Sequence, residues 1–214
     1  VKIVHPTTKG YNSYYDLKKI QKDIKKLLNQ VKYRLFIDLE FSMPSYYQTM
    51  QHVPEILQYG ILLDNDKGKT IFKDEALVRP QKYYSLNKRT LSFLNLDKKD
   101  FIHAVSYRDF YLLINEIIQK YDPKIIAWGK NDILTLEQSF RVNGVLDLDI
   151  RSRYIDLMQV IKNYYNIKND LGLFNTYEKM AQIELEEQDH NAYMDAKIAR
   201  SIYKTFKKQI LNEK

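Results

Sequence analysis

Apolar residues recur at helical spacing over residues 13–31, where Tyr15, Leu17, Ile20, Ile24, Leu27, Leu28 and Val31 stand between lysines. This pattern predicts a basic amphipathic helix, after an irregular lead containing Pro6 and Gly10. "YRLFIDLEF" is too short an apolar run for a long helix and predicts a buried strand. "EILQYGILLDNDKGKTIFKDEALVRP" predicts strands over 56–63 and 70–79, joined at "NDKG" as an antiparallel hairpin that makes a three-stranded meander with the first strand. Residues 44–54, "PSYYQTMQHVP", form a long proline-bracketed loop near the end of strand one, the kind of segment that often carries function. The helical period returns over 107–120. Lys124 to Trp128 then predict a short strand, and Gly129 to Asn131 a turn into the helix "DILTLEQSFRVNG". A strand end runs into a helix at "RYIDLMQVIKNYYNI". The short segment "LFNTYEKMAQI", an acidic loop "ELEEQDHN" and a last helix "AYMDAKIARSIYKTFKKQI" follow. Strands first, then helices alternating with strands, imply a mixed sheet covered by helices in one α/β domain.

Composition narrows this picture. A chain of 214 residues, 44% hydrophobic and 29% charged with few glycines and prolines, suits an ordered domain with a substantial core. No run approaches the roughly 20 apolar residues of a membrane span, and "VKIVHPTTKG" lacks a secretory apolar stretch, so the expectation is a cytoplasmic protein with no membrane partner. The absence of cysteine excludes disulfides and thiolate chemistry, leaving oxygen and imidazole. A net charge of +7 favours polyanionic partners, because Lys and Arg that neutralise phosphates release counterions.

Four acid pairs share one spacing: Asp38 with Glu40, Asp64 with Asp66, Asp147 with Asp149, and Glu184 with Glu186. Asp64 and Asp66 fall in the predicted turn and Glu184 and Glu186 in the acidic loop, where water accounts for them. Asp38 and Glu40 sit within an apolar run with Leu35, Phe36, Ile37, Leu39 and Phe41. Carboxylates two apart on a strand point the same way, and desolvating both costs several kcal/mol unless a cation joins them. In a cysteine-free chain a hard, oxygen-ligated Mg²⁺ or Mn²⁺ is the natural one. Sites in open α/β sheets lie beyond the carboxyl ends of strands. Asp132 follows the strand "KIIAW" and meets this condition, although an acid at a helix start also has a plain dipole explanation worth about 0.3–1 kcal/mol. His190 and Asp195 can face one site if the loop folds back, and histidine suits general-base work near neutrality.

Asp38-x-Glu40, Asp132 and His190-x-x-x-x-Asp195, in that order, resemble the DEDDh family of 3′-to-5′ exonucleases. "PEILQYGILL", "VRP", "AWGKND" and "HNAYMDAKIA" extend the similarity over residues 33–206, leaving 1–32 as a lead and helix before an exonuclease domain at 33–214. The loop after Glu40 and the Trp128-Gly129 pair look most like the subgroup of histone-mRNA and sporulation-inhibitor-like exonucleases, which tilts the expected substrate from DNA toward RNA. The resemblance implies a ribonuclease H-like mixed sheet with helices on both faces. It further implies two divalent cations, one held by Asp38, Glu40 and Asp195 and the other by Asp38 with Asp132, and His190 deprotonating the attacking water.

One position departs from the family. Phe41 stands where a small residue is usual, and it could pack beneath the strand, narrow the pocket or stack on a terminal base, the last worth about 1–3 kcal/mol. Leu39, Met43, Trp128 and Tyr193 are further candidates for the nucleotide pocket, with core packing as the alternative role. The expected activity is hydrolysis at the 3′ end of single-stranded nucleic acid. The alternatives are a non-hydrolysing nucleic-acid-binding protein on the same scaffold, or a module whose acids are structural.

Overall fold

The computed structural model describes residues 14–48, 51–183 and 190–212. Five strands make one sheet: β1 (Arg34–Phe41), β2 (Ile56–Asp64), β3 (Thr70–Leu77), β4 (Lys124–Ala127) and β5 (Tyr154–Asp156), in the spatial order β3-β2-β1-β4-β5. The first three strands are antiparallel, β4 joins β1 in parallel, and β5 joins β4 in parallel. The helices are α1 (Tyr14–Gln30), α2 (Lys88–Leu94), α3 (Tyr107–Tyr121), α4 (Asn131–Val142), α5 (Ile150–Arg153), α6 (Leu157–Tyr165), α7 (Leu173–Ala181) and α8 (Ala192–Asn212). This is a ribonuclease H-like α/β architecture with helices on both faces of a mixed sheet.

Strand alternation builds two cores. Leu35, Ile37 and Leu39 of β1 pack with Phe110, Ile114 and Ile118 of α3 and with Leu136 and Phe140 of α4. Phe36, on the other face, packs with Ile24 and Leu28 of α1, Ile161 of α6 and Ile202 and Phe206 of α8. Helix α1 thus buries its apolar stripe on the sheet's helical layer and turns Lys18, Lys22 and Lys26 to solvent.

The hairpin turn closes through Asn65 and Gly68. Gly68 donates to the Asn65 carbonyl at 2.9 Å and takes a positive φ of 74° that glycine tolerates without strain. Asp64 corrects the expectation of a water-solvated turn acid. It is fully buried at the end of β2, accepts from Arg200 Nε with both oxygens at 2.9 and 2.8 Å, and accepts from Thr70 Oγ1 at 2.7 Å. Asp147 and Asp149 are exposed, and Glu184 and Glu186 lie outside the described residues. Between β3 and α3, a stretch without a clear periodic signal folds into α2 and two 3₁₀ turns over a small core of Leu57, Leu94, Phe101 and Ala104.

Strand β4 pairs with β1 only along Arg34–Phe36. Beyond it, the second half of β1 has β2 on one side and an open edge on the other, and the acids stand at this opening.

Candidate active site

Asp38 and Glu40 leave β1 on the same face as Phe36, toward α8, because alternate strand residues share a face. Helix α8 is seated over them by three local features. Asn191 caps its start, its side chain accepting from the Met194 N–H at 3.0 Å. Gln58 of β2 accepts the Ala192 N–H at 3.3 Å. Gly60, the ladder partner of Asp38, lets the helix backbone touch the sheet: a Cβ there would stand 2.2 Å from Tyr193 Cα. One helical turn in, Asp195 meets the strand acids, and one oxygen from each of Asp38, Glu40 and Asp195 lies within 4.8 Å of the others.

Asp132 arrives from the other side. After β4, Gly129 takes a φ of 83° and the chain turns into α4, whose first turn carries Asp132. Its Oδ1 accepts the Leu39 N–H at 2.9 Å, satisfying a β1 donor that β4 is too short to pair.

Burial raises the proton affinity of all four carboxylates, and neighbouring acids add to it at Asp38, Glu40 and Asp132. Burial first, then Asp132, Asp195 and Glu40, pushes Asp38 far above the ordinary aspartate range. Burial, then Asp195 and Asp132, lifts Glu40 to about 7. Burial lifts Asp132 to about 7 against the opposing Leu39 hydrogen bond, and lifts Asp195 to about 6. Among the described residues no Lys, Arg or His lies within 4.0 Å of these acids. Asp195 Oδ1 is buried and makes no hydrogen bond. An unpartnered carboxylate oxygen facing two further carboxylates fits a hard divalent cation, which supplies the missing positive charge and ligand field.

The other candidate residues are placed differently. His190 is exposed and outside the carboxylate cluster; its ring stacks on Phe93 of α2 with centroids 4.0 Å apart. Leu39 is buried in the core of α3 and α4, and Phe41 packs half-buried against that same core. Met43 donates its N–H to Thr90 Oγ1 at 3.0 Å and accepts from Asn87 Nδ2 at 2.8 Å. Trp128 packs on the second core and donates its indole N–H to the Leu171 carbonyl at 2.9 Å. Tyr193, half-buried, has the Lys197 ammonium 5.7 Å from its ring centroid.

Sequence reasoning missed three residues. Asp156, at the end of β5, adds a carboxylate whose charge acts on Asp132, while it caps α6 by accepting the Gln159 N–H at 2.9 Å. Its place between a strand end and a helical pattern marks a helix cap and not a site. Gly60 and Asn191 did carry signals: a glycine breaking an apolar strand, and an Asn just before a helical pattern.

No family profile matches the chain. It is 31% identical over 173 residues to the probable 3'-5' exonuclease KapD of Bacillus subtilis strain 168, an alignment covering 79% of this chain and 82% of the relative. The nuclease domain of 3'hExo, a DEDDh family member bound to rAMP, superposes with a TM-score of 0.71 at 16% identity, covering 86% of this chain and 94% of that one. A full-length 3'-exonuclease gives a TM-score of 0.68 at 13% identity, and the chain spans 62% of its length. The sequence relationship, the shared fold and the ordered acids lead to one conclusion: the chain belongs to the DEDDh family of 3′-to-5′ exonucleases.

Proposed function

We propose that the chain removes nucleoside monophosphates from the 3′ end of single-stranded nucleic acid, RNA in preference to DNA, with two divalent cations, Mg²⁺ or Mn²⁺. The observation that carries this reading is the convergence of Asp38, Glu40 and Asp195 within 4.8 Å, with a buried Asp195 oxygen left unpartnered. Asp38, Glu40 and Asp195 would hold one cation, and Asp38 with Asp132 the other. Bound there, such a pair supplies Lewis-acid stabilisation of the attacking and leaving oxygens in an in-line displacement at phosphorus. The Leu39 N–H fixes Asp132 at the open edge of β1, where its carboxylate would face the cation.

His190 serves as general base, accepting the proton of the attacking water at a ring nitrogen, for which its ring must leave Phe93 and turn toward the carboxylates. Met43 and Tyr193, close in sequence to Glu40 and Asp195, contact the terminal nucleotide. Phe41 and Leu39 support the floor from the opposite face, and Trp128 braces the turn that delivers Asp132. The rAMP found on the 3'hExo nuclease domain supports RNA as substrate. Among the described residues no helix is long and apolar enough to cross a membrane.

A time course on matched 3′-labelled and 5′-labelled RNA and DNA, with Mg²⁺, Mn²⁺ or chelator, tests the proposal. Release of labelled mononucleotide from the 3′ end, abolished by chelator, is expected. Asp38→Ala should lose nearly all activity and His190→Ala about 10²–10⁴-fold, the usual contribution of a general base. An undiminished rate in Asp38→Ala would overturn the reading.

A further inference from the structure

At the end of β1 remote from the carboxylates, on the α8 side of the sheet, lies an open cavity of about 410 Å³. Arg34, Lys67, Lys204, Lys207 and Lys208 line it together with Tyr203. Arg34 is only 2% exposed; its guanidinium donates to the carbonyls of Val31 and Asn65, and among the described residues no carboxylate lies within 4.0 Å of it. Lys67, Lys207 and Lys208 likewise have no carboxylate within that distance among the described residues.

Two carboxylates also line the cavity, but they do not balance it. Asp64 is taken by Arg200 and Thr70, with Lys204 at 3.7 Å, and Asp66 is exposed on the turn. The Tyr203 hydroxyl is buried against the Arg34 guanidinium without forming a well-aligned hydrogen bond, and its ring lies 5.9 Å from the guanidinium carbon. Burial and then Arg200 lower the proton affinity of Lys204; burial and then Arg34 do the same to Lys207. Cations that disfavour one another's charge in a concave site are relieved by an anion.

The donors suit phosphate. Flexible ammonium groups, the remaining N–H donors of Arg34 and the Tyr203 O–H match tetrahedral oxygens, and Arg and Lys are the usual phosphate partners. The volume falls in the range of small-ligand sites, roughly 300–1,000 Å³, and Tyr203 and Leu211 supply an apolar wall. The cavity is separate from the carboxylate cluster. Asp38 is four positions along the strand from Arg34, about 13 Å, and Lys207 is twelve positions along the helix from Asp195, about 18 Å. Lys197 stands between the two places on α8, at helical spacing from Lys204 and Lys208 of the cavity.

We propose that this cavity is a second, phosphate-binding site, occupied either by a small phosphate ester of nucleotide size or by an internal phosphate of a bound nucleic-acid strand. The full chain with inorganic pyrophosphate, in EDTA at constant ionic strength, gives the first measurement. Its melting temperature should rise by several degrees, and Lys207→Glu with Lys208→Glu should abolish the rise. Lys22→Glu with Lys26→Glu on α1 should preserve it. No rise, or an equal rise in the cavity variant, overturns the proposal.

Kinetics then separate the two sources. A KM raised at least fivefold for a 20-nucleotide strand but not for a trinucleotide identifies a strand phosphate. Unchanged KM values alongside lost pyrophosphate binding identify a small ligand. The thermal measurement requires no catalysis, so it stands even if the proposed hydrolysis fails.

Discussion

Asp38, Glu40, Asp132 and Asp195 sit close enough that each makes its neighbours' ionisation costly, which ties stability to both protons and cations. In the metal-free chain their folded proton affinities are raised, Glu40 and Asp132 to about 7 and Asp195 to about 6, from ordinary values of 4.5 and 3.8. Between the ordinary and raised values the folded state binds more protons than the unfolded, so stability falls as pH rises. Denaturant titrations in EDTA should therefore show this site's contribution decreasing from about pH 4 to about pH 7. A flat or rising profile that is unchanged by Asp38→Asn would contradict this origin. Asp38→Asn itself removes one charge from the cluster, and should raise the melting temperature in EDTA while losing the stabilisation by Mn²⁺ expected of the native sequence. The adjacency of Asp38 and Glu40 on one strand face was legible in "RLFIDLEF", because side-chain direction on a strand follows from parity alone. The same parity puts Phe41 on the opposite face, against the α3–α4 core. The ring stacking of His190 on Phe93 joins residues nearly a hundred positions apart and leaves no local trace.

At the scale of elements, the site depends on how closely α8 lies on β2. Gly60→Ala places a Cβ 2.2 Å from Tyr193 Cα, a contact with backbone that no rotamer change relieves. Helix α8 must shift, and with it Asp195. The expected outcome is a large loss of Mn²⁺ affinity by calorimetry with secondary structure retained by circular dichroism; native metal affinity would show that the helix is not held there. Asn191→Ala removes the cap and should destabilise by about 0.5–2 kcal/mol in denaturant titration. Farther along α8, Arg200→Ala leaves Asp64 buried without its main partner and should cost about 3–5 kcal/mol, measured the same way. The elements with strong periodicity, from α1 through the hairpin to α8, were readable because each buries one regular face. Residues 81–106 were not: their short turns bury few apolar side chains, Leu94, Phe101 and Ala104, too few to establish a period.

Across the whole molecule, the opening at the end of the sheet arises from unequal strand lengths. Strand β1 runs eight residues while β4 runs four, so the acid-bearing half of β1 has a free edge that Asp132 occupies. Cations that bind the folded chain there should raise its melting temperature with concentration, as mass action requires, and excess chelator should return it to the metal-free value. An unchanged melting temperature up to millimolar Mn²⁺ would argue that the acids hold no ion. The sequence by itself determined the mixed α/β class and the order of the principal elements, since periodicity, turn chemistry and strand parity are properties of neighbouring residues; the acids were singled out as a set by their resemblance to the exonuclease motifs. Only the tertiary structure decided that Asp132 closes on Leu39, that Asp64 is buried on Arg200, that bare backbone at Gly60 admits α8, and that five cations face one cavity at the far end of β1. Those outcomes depend on which distant segments share space after the two cores form, and burial sets their electrostatic consequences only then.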